Sequence, residues 1–264
     1  MRVALLLEYD GTAYAGWQVQ AGHDSVQARI EQALNRLFGT PIRLAAAGRT
    51  DAGVHALGQV AAFDAPRHCE TAELQRALNA LLPPDIAVRQ AREVAASFNP
   101  RRDAQVRIYE YRIRNRPLRS AFGYRYAWHL REPLDLELMG AAAREFLGEH
   151  DFAAFRTLGT QVRSTVRRIY QSEWRGRDDL VYRVEGSSFL RRMVRTMVAA
   201  MVEVGRHRQP VASIRALLRE GERAQAPAAA PPCGLFLVGV RYPLRAGLDC
   251  APPCSSKHWG AMPD

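Results

Sequence analysis

The chain has 264 residues, of which 47% are hydrophobic and 24% are charged, and these proportions exclude a disordered or fibrous protein. Its formal net charge is +10, because 37 Lys and Arg outnumber 27 Asp and Glu, and this excess indicates a polyanionic partner. Four cysteines are too few for a disulfide framework, and no apolar run reaches the ~20 residues of a membrane-spanning helix. The first apolar run is broken at Glu8, too early for a signal peptide, so we expect a cytoplasmic protein without membrane contact.

The first part of the chain alternates short apolar runs with two amphipathic stretches. Asp24 is placed to cap the first helix, with Gln27 three residues later, and Gly39 ends that helix. The pair at residues 83–84, both proline, ends the second helix. The predicted order is β-α-β-β-α-β, which is the ferredoxin-like pattern. The strands are predicted at residues 3–9, 42–47, 57–63 and 86–93, and the helices at residues 24–37 and 74–81.

The second part of the chain repeats this order. A charged turn at residues 175–179 predicts a hairpin, and residues 189–204 predict a long helix with apolar positions three to four apart. Residues 221–232, rich in Ala and Pro, predict a flexible linker. The remaining strands are predicted at residues 106–115, 124–130, 163–174, 180–185 and 235–242, and further helices at residues 136–147 and after Pro210.

The repeated order predicts an α+β fold built from two ferredoxin-like, RRM-like βαββαβ halves with mostly antiparallel sheets. We expect residues 1–103 and 104–246 to form these halves, which face each other across a basic active-site cleft. Residues 247–264 are expected to form a flexible tail. The spacing of Cys250, Cys254 and His258 in that tail could recruit a metal ion, but without a second clear ligand pair we predict no metal site.

Residues 48–55, Gly-Arg-Thr-Asp-Ala-Gly-Val-His, place a carboxylate in a loop between two predicted strands. Gly48 and Gly53 permit the close approach of another backbone. Arg49 could hold the Asp51 carboxylate ionised and aimed, as its ion-pair partner. From composition alone, a turn in which Asp51 bonds its own backbone is the better explanation.

The predicted strand at residues 106–115 carries a cation beside aromatic rings. Arg107, Tyr109 and Tyr111 share one face of this strand, because side chains alternate with a period of two. Such a surface is suited to bind a nucleotide base that has been flipped out of its RNA stack. A core tyrosine or an ordinary cross-strand pair explains the same pattern equally well.

The long predicted helix carries Arg191, Arg192 and Arg195 beside its apolar stripe. A basic stripe of this kind is usually a solvated helix face, and contact with phosphate groups is the alternative. Tyr14 and Trp17 are weaker candidates for RNA contacts, since most aromatic side chains near a strand end pack in the core.

Four segments, taken in order, resemble signature segments of the tRNA pseudouridine synthase A family. Together they fall within residues 3–243, nearly the whole chain. One departure is Ala199, where the family more often has glycine, and this difference concerns helix packing and not catalysis. The four segments are residues 8–18, the active-site loop at 48–55, the substrate-stacking strand at 98–113 and the helix at 189–195.

This resemblance implies an isomerase, a homodimer, that converts uridines at tRNA positions 38–40 in the anticodon arm to pseudouridine. It implies that Asp51 is the nucleophile with Arg49 as its partner, that Tyr109 stacks on the target uracil, and that Arg195 brings positive charge from the other half. The further candidates for substrate binding are Arg107, Tyr111, Arg191 and Arg192.

The implied reaction neither gains an atom nor transfers an electron, so we expect no cofactor. The aspartate could attack the ribose C1′ or the uracil C6, or remove a ribose proton. A base must take the proton from C5, and the Tyr109 phenol is one candidate. Two other classes compete: a non-catalytic RNA-binding module, which leaves the loop at residues 48–55 unexplained, and a retaining glycosidase-like hydrolase, which needs a second carboxylate that is not evident beside Asp51.

Overall fold

The computed structural model describes residues 1–157 and 162–243, and its first part follows the predicted element order. The cap of the first helix differs from the prediction. The Ser25 side chain accepts a hydrogen bond from the Ala28 N–H and caps the helix, whereas Asp24 forms an ion pair with Arg29. The elements are β1 (Arg2–Tyr9), α1 (Val26–Phe38), β2 (Ala45–Ala46), β3 (His55–Asp64), α2 (Thr71–Leu81) and β4 (Ile86–Val94).

The second part of the chain departs from the prediction at three places. Residues 124–126 form a 3-10 turn before a short strand, and an unpredicted strand follows the third helix because its sequence Gly-Glu-His-Asp has no apolar alternation. The long helix begins only after Arg192, which has a left-handed φ of 63°. The elements are β5 (Val106–Asn115), β6 (Trp128–Leu130), α3 (Leu136–Arg144), β7 (Gly148–Asp151), β8 (Val166–Arg175), β9 (Asp179–Gly186), α4 (Met193–Gly205), α5 (Ala212–Glu220) and β10 (Leu235–Arg241).

The strands of both parts join into one sheet of ten strands within the described residues. The order is β4-β1-β3-β10-β5-β9-β8-β7, with β2 beside β3 and β6 beside β5. Phe236 and Leu237 pair in parallel with His55 and Ala56, and this contact joins the two parts. The predicted mixed α+β class is confirmed, and the strands of the two parts join in one continuous sheet.

The buried helix α4 fixes the position of Arg195, which lies in its first turn. The helix is apolar on nearly all sides and is buried accordingly, with α3 packed against it. Burying each Val, Leu or Met side chain contributes about 1.5–3 kcal/mol, so the position of α4 is strongly fixed. Its first turn therefore presents Arg195 at a defined place.

None of the helices in the described ranges is long and apolar enough to cross a membrane. The predicted tail, including Cys250, Cys254 and His258, lies outside the described residues. Within the described residues, no group of three or more His, Cys, Asp or Glu side chains could hold a metal ion.

Candidate active site

A cleft of about 1540 Å³ opens where the two parts of the sheet meet. Its walls come from the loop at residues 48–54, from β5 and from the segment that leads into α4. Asp51 is the only carboxylate among the described residues that line it. Such a wall attracts a polyanion and concentrates it around a single acidic group. The lining arginines are Arg49, Arg101, Arg102, Arg107, Arg156, Arg167, Arg191, Arg192 and Arg195.

Thr50 fixes the centre of the loop that carries Asp51. Its hydroxyl lies 2.8 Å from the Tyr9 hydroxyl, and its carbonyl oxygen accepts a hydrogen bond of 3.1 Å from the Trp17 N–H. Gly16 passes so close that a Cβ there would lie 2.6 Å from the Thr50 oxygen, and its φ of +100° favours glycine. The loop is therefore held on the N-terminal segment of the chain.

His55, the first residue of β3, fixes the far end of the same loop. Its Nδ1 accepts a hydrogen bond of 3.1 Å from the Gly11 N–H, and its Nε2 lies 3.2 Å from the Arg125 carbonyl oxygen. Burial lowers the pKa of His55, although the Asp10 carboxylate 3.0 Å from Nδ1 opposes this effect. The imidazole is therefore neutral near pH 7 and acts as a fixed support of the loop.

The ion-pair partners of Asp51 come from the second part of the chain. Arg195 Nη1 lies 3.2 Å from Asp51 Oδ2, and Arg191 Nε lies 3.7 Å from Oδ1. Arg49 is exposed and forms no ion pair within the described residues, so the structure departs from the predicted pairing. Residues 49–51 lie outside any strand, and the Asp51 carbonyl oxygen accepts a hydrogen bond from the Val54 N–H.

Tyr109 lines the cleft beside this loop. Its ring packs edge-to-face on Phe189, with ring centroids 5.1 Å apart, and a Cβ at Gly48 would lie 4.0 Å from its hydroxyl. Burial raises the pKa of Tyr109 well above its usual range, and the nearby Tyr9 and Asp51 add to the effect. The phenol is therefore protonated throughout the neutral range.

Arg107 and Tyr111 are both buried and hydrogen-bonded to backbone carbonyl oxygens in the free protein, and their contact with RNA stays a prediction. Tyr111 is fully buried, and its hydroxyl donates to the Pro231 carbonyl oxygen at 2.8 Å. Arg107 is buried, and both of its terminal nitrogens donate hydrogen bonds to backbone carbonyl oxygens. Few of its N–H groups are therefore available to phosphate groups. The acceptors are the carbonyl oxygens of Ala47, Arg101, Ala104 and Ser187.

Arg191 and Arg192 line the cleft from an exposed segment, with 58% of the Arg191 side chain accessible. They do not form a helical stripe with Arg195, because α4 begins after them. The weaker aromatic candidates pack in the core: Tyr14 donates to Asp85 Oδ1 at 2.6 Å, and Trp17 is 2% exposed.

Two further residues that shape this site were not predicted from the sequence. Gln59 Nε2 donates to the Gly48 carbonyl oxygen at 2.9 Å and anchors the start of the loop. Phe189 supports the Tyr109 ring. The contact of Gln59 could have been predicted from its position inside the apolar run of β3, because a buried polar side chain needs a hydrogen-bond partner.

The chain is similar in sequence to known tRNA pseudouridine synthases. A family model described as tRNA pseudouridine synthase matches residues 6–102 and 142–243. The chain is 47% identical over 241 residues to tRNA pseudouridine synthase A of Geobacter sulfurreducens, covering 91% of this chain and 99% of that protein. It is 46% identical over 242 residues to tRNA pseudouridine synthase A of Geotalea uraniireducens, with the same coverage.

A solved structure, the archaeal box H/ACA sRNP Nop10-Cbf5 complex, shares 13% sequence identity and a TM-score of 0.38. That match covers 77% of this chain and 44% of the other, and it is too distant to carry an argument. The relatives with 46–47% identity and the family model, which covers most of both parts of the chain, decide the assignment. The chain belongs to the tRNA pseudouridine synthase A family, a family of isomerases.

Proposed function

We propose that this protein isomerises uridines at positions 38–40 of the tRNA anticodon arm to pseudouridine, with Asp51 as the nucleophile and a flipped-out uracil stacked on Tyr109. The observation that carries the proposal is the Asp51 carboxylate itself. It is the one carboxylate among the described cleft residues, it is paired with Arg195, and arginines surround it.

The reaction breaks the bond between N1 of uracil and C1′ of ribose, turns the base and forms a bond from C5 to C1′. C5 loses a proton and N1 takes one up, so the product has the composition of the substrate. An ionised carboxylate can form a covalent intermediate and so divide one difficult step into easier ones. Arg195 and Arg191 approach different oxygens of Asp51 and thereby orient the carboxylate for such a step.

A uridine in an RNA stem must leave its stack before it reaches Asp51. Extrusion costs a few kcal/mol, and stacking on an aromatic ring returns about 1–3 kcal/mol of this. The Tyr109 ring beside the Asp51 loop can supply the stacking. Contacts between phosphate groups and the exposed arginines of the cleft, among them Arg49 and Arg192, supply the remainder.

Stacking is the better supported of the two roles considered for Tyr109. Removal of the C5 proton by this residue would require its phenolate form. Because burial raises its pKa, that form is disfavoured in the free protein. We therefore assign the ring to base stacking and leave proton removal to another group or to water.

Two structural features belong to the same proposal. The strand orders β4-β1-β3-β2 and β10-β5-β9-β8 support ferredoxin-like halves, with a boundary near residue 103. The family resemblance supports a homodimer, and the large exposed side chains of Leu118, Phe122 and Tyr124 offer one surface that a second copy could cover.

The competing classes fit the site less well. A glycosidase-like hydrolase needs two carboxylates that flank the scissile bond, and the described walls of the cleft hold one. A module that only binds RNA needs no carboxylate in a cationic cleft, since Asp51 repels the phosphate backbone.

Mapping of the modified nucleotides tests the proposal. Unmodified tRNA transcripts with uridine at positions 38, 39 and 40 are incubated with the protein, and pseudouridine is located by carbodiimide adducts that stop reverse transcriptase. We expect stops at these positions and none in a control tRNA with cytidine there. Pseudouridine confined to other positions would overturn the assigned target, and its complete absence would overturn the enzymatic function.

A further inference from the structure

We infer that residues 230–232 are a rigid support for the Arg195 guanidinium, and that Tyr111 is a positioning residue that acts on Asp51 through this support. The inference rests on the proposed function for its catalytic consequence. It concerns the end of a stretch that composition predicts to be a flexible linker.

The 230–232 segment contacts both the backbone and the side chain of Arg195. Arg195 Nε donates to the Ala230 carbonyl oxygen at 2.6 Å, and the Ala230 N–H donates to the Arg195 carbonyl oxygen at 3.1 Å. Because a guanidinium is planar, a hydrogen bond at Nε also fixes the direction of Nη1, which lies 3.2 Å from Asp51 Oδ2. The Ala230 carbonyl oxygen therefore sets the geometry of the ion pair.

The sequence Ala-Pro-Pro makes this segment stiff. A proline ring locks its own φ, and a residue before proline is confined to extended conformations. Pro231 has φ −51° and ψ 144°, as expected for a residue that precedes Pro232. Ala230 is 3% exposed, so the segment is also packed in place. Its carbonyl groups are thus held before any ligand binds.

Tyr111 ties the segment to the central strand β5. Its hydroxyl donates to the Pro231 carbonyl oxygen at 2.8 Å. The ring fits against Gly234, where a Cβ would lie 2.8 Å from the ring carbons. Breaking this bond would leave a buried hydroxyl and a carbonyl oxygen without partners, so the bond is expected to persist.

The same segment also touches the loop that carries Asp51. A Cβ at Gly53, where φ is +75°, would lie 3.0 Å from Pro232 Cγ. The carboxylate and its guanidinium partner are therefore both positioned against one stiff segment. A shift of that segment moves one partner of the ion pair relative to the other.

The test compares Tyr111→Phe with Tyr182→Phe. Both tyrosines are fully buried and each makes a side-chain hydroxyl contact, but Tyr182 contacts Ser172 Oγ at 2.7 Å whereas Tyr111 contacts the 230–232 segment. Single-turnover rates of pseudouridine formation and the Kd for tRNA are measured for both variants. We expect Tyr111→Phe to lower the rate ~10- to 100-fold with a Kd within about twofold of wild type. Tyr182→Phe should leave both unchanged in the folded protein.

A second readout does not depend on activity. The hydrogen exchange rate of the Arg195 Nε–H is measured by ¹⁵N NMR, with Arg195→Lys to assign the signal. We expect slow exchange in wild type, faster exchange in Tyr111→Phe, and no change in Tyr182→Phe. Pro231→Ala, which keeps the carbonyl group but removes the stiff ring, should change exchange in the same direction as Tyr111→Phe, and it replaces that variant if the latter does not fold.

Unchanged exchange of the Arg195 Nε–H in Tyr111→Phe and Pro231→Ala would overturn the inference. Equal rate losses in Tyr111→Phe and Tyr182→Phe would also overturn it, since a general loss of packing would then explain both. Failure of the wild-type protein to form pseudouridine would instead refute the proposed function, and the exchange rates would still decide whether the segment positions Arg195.

Discussion

Asp51 and Arg195 meet in the cleft beside the 230–232 segment, but the hydrogen bonds that hold them there differ in kind. The loop around Asp51 is fixed by side chains of its own part of the chain, such as those of Tyr9 and Gln59. Arg195 is fixed by the backbone of the distant 230–232 segment. The first kind of support leaves a recognisable motif in the sequence. The second leaves almost none, because every residue has a carbonyl oxygen.

The nearest arginine in sequence is not the ion-pair partner of Asp51 within the described residues. Arg49 lies two residues away along the chain, but it is exposed and forms no ion pair there. Arg195 lies 144 residues away and is 3.2 Å distant in space. Substitutions on the two sides of this ion pair should therefore have different consequences.

The largest effect is expected for Asp51→Asn, which removes the charge from the first side of the pair. Single-turnover pseudouridine formation should fall at least ~10³-fold, because the carboxylate performs the chemistry. Affinity for tRNA should stay within about tenfold, since binding is distributed over many arginines. Filter binding and mapping of pseudouridine in the same preparation check both expectations. A variant that retains wild-type turnover would remove Asp51 from the role of nucleophile.

The second side of the pair is broken by Arg195→Ala, with Arg191→Ala as the matched control. Arg195 is mostly buried against Asp51, so its loss should lower the rate about 10²-fold and leave the salt dependence of binding nearly unchanged. Arg191 is exposed, so its loss should reduce the salt slope by about one phosphate contact, with a smaller effect on rate. If both variants had the rate and the salt slope of the wild-type protein, neither arginine would serve the site.

Tyr109 belongs to the second part of the chain but lies beside the Asp51 loop of the first part. Its substitution therefore tests a contribution of the second part other than the ion pair. If the ring acts by stacking, Tyr109→Phe should remain close to wild type from pH 6 to 9, whereas Tyr109→Leu should lose about 1–3 kcal/mol of substrate stabilisation. Single-turnover rates across this pH range check the expectation. A loss of 10²–10⁴-fold in Tyr109→Phe would show instead that the hydroxyl removes a proton.

The smallest expected effect is on the pH dependence of stability and comes from His55, which supports the end of the Asp51 loop. Its pKa in the folded protein is lowered by burial, so below about pH 6.5 the unfolded chain binds a proton more readily than the folded chain. Stability should therefore fall as the pH is lowered through this range. Urea unfolding at pH 7 and pH 5.5 should show a weaker pH dependence for His55→Gln than for wild type. The exposed residue His68 provides the control, since His68→Gln should behave like wild type.

Much of the fold was predictable from local patterns. Apolar alternation and helical spacing predicted the element order and both helices of the first part, because these signals lie within each segment. The joint between β3 and β10 was not predictable, since a parallel contact between residues 55–56 and 236–237 has no local signature. Local patterns consequently did not predict that the two parts share one sheet.

The site was predictable to a similar degree. The family resemblance of residues 48–55 singled out Asp51 and that of the strand at 106–115 singled out Tyr109, and both residues line the cleft. Alternation also placed Arg107 and Tyr111 on the face of Tyr109, but alternation cannot tell a cleft wall from the core. Arg107 lines the cleft whereas Tyr111 does not belong to its described lining, and both residues are held by carbonyl oxygens of segments far away in sequence.

Release of tritium from tRNA that carries uridine labelled at C5 tests the central claim most directly. The proposed isomerisation must remove the C5 hydrogen, whereas binding alone leaves it in place. We predict that the wild-type protein releases one tritium for each pseudouridine formed, and that tRNA with cytidine at positions 38–40 yields none. Tight tRNA binding without any tritium release would contradict the account and would indicate a protein that binds RNA without modifying it.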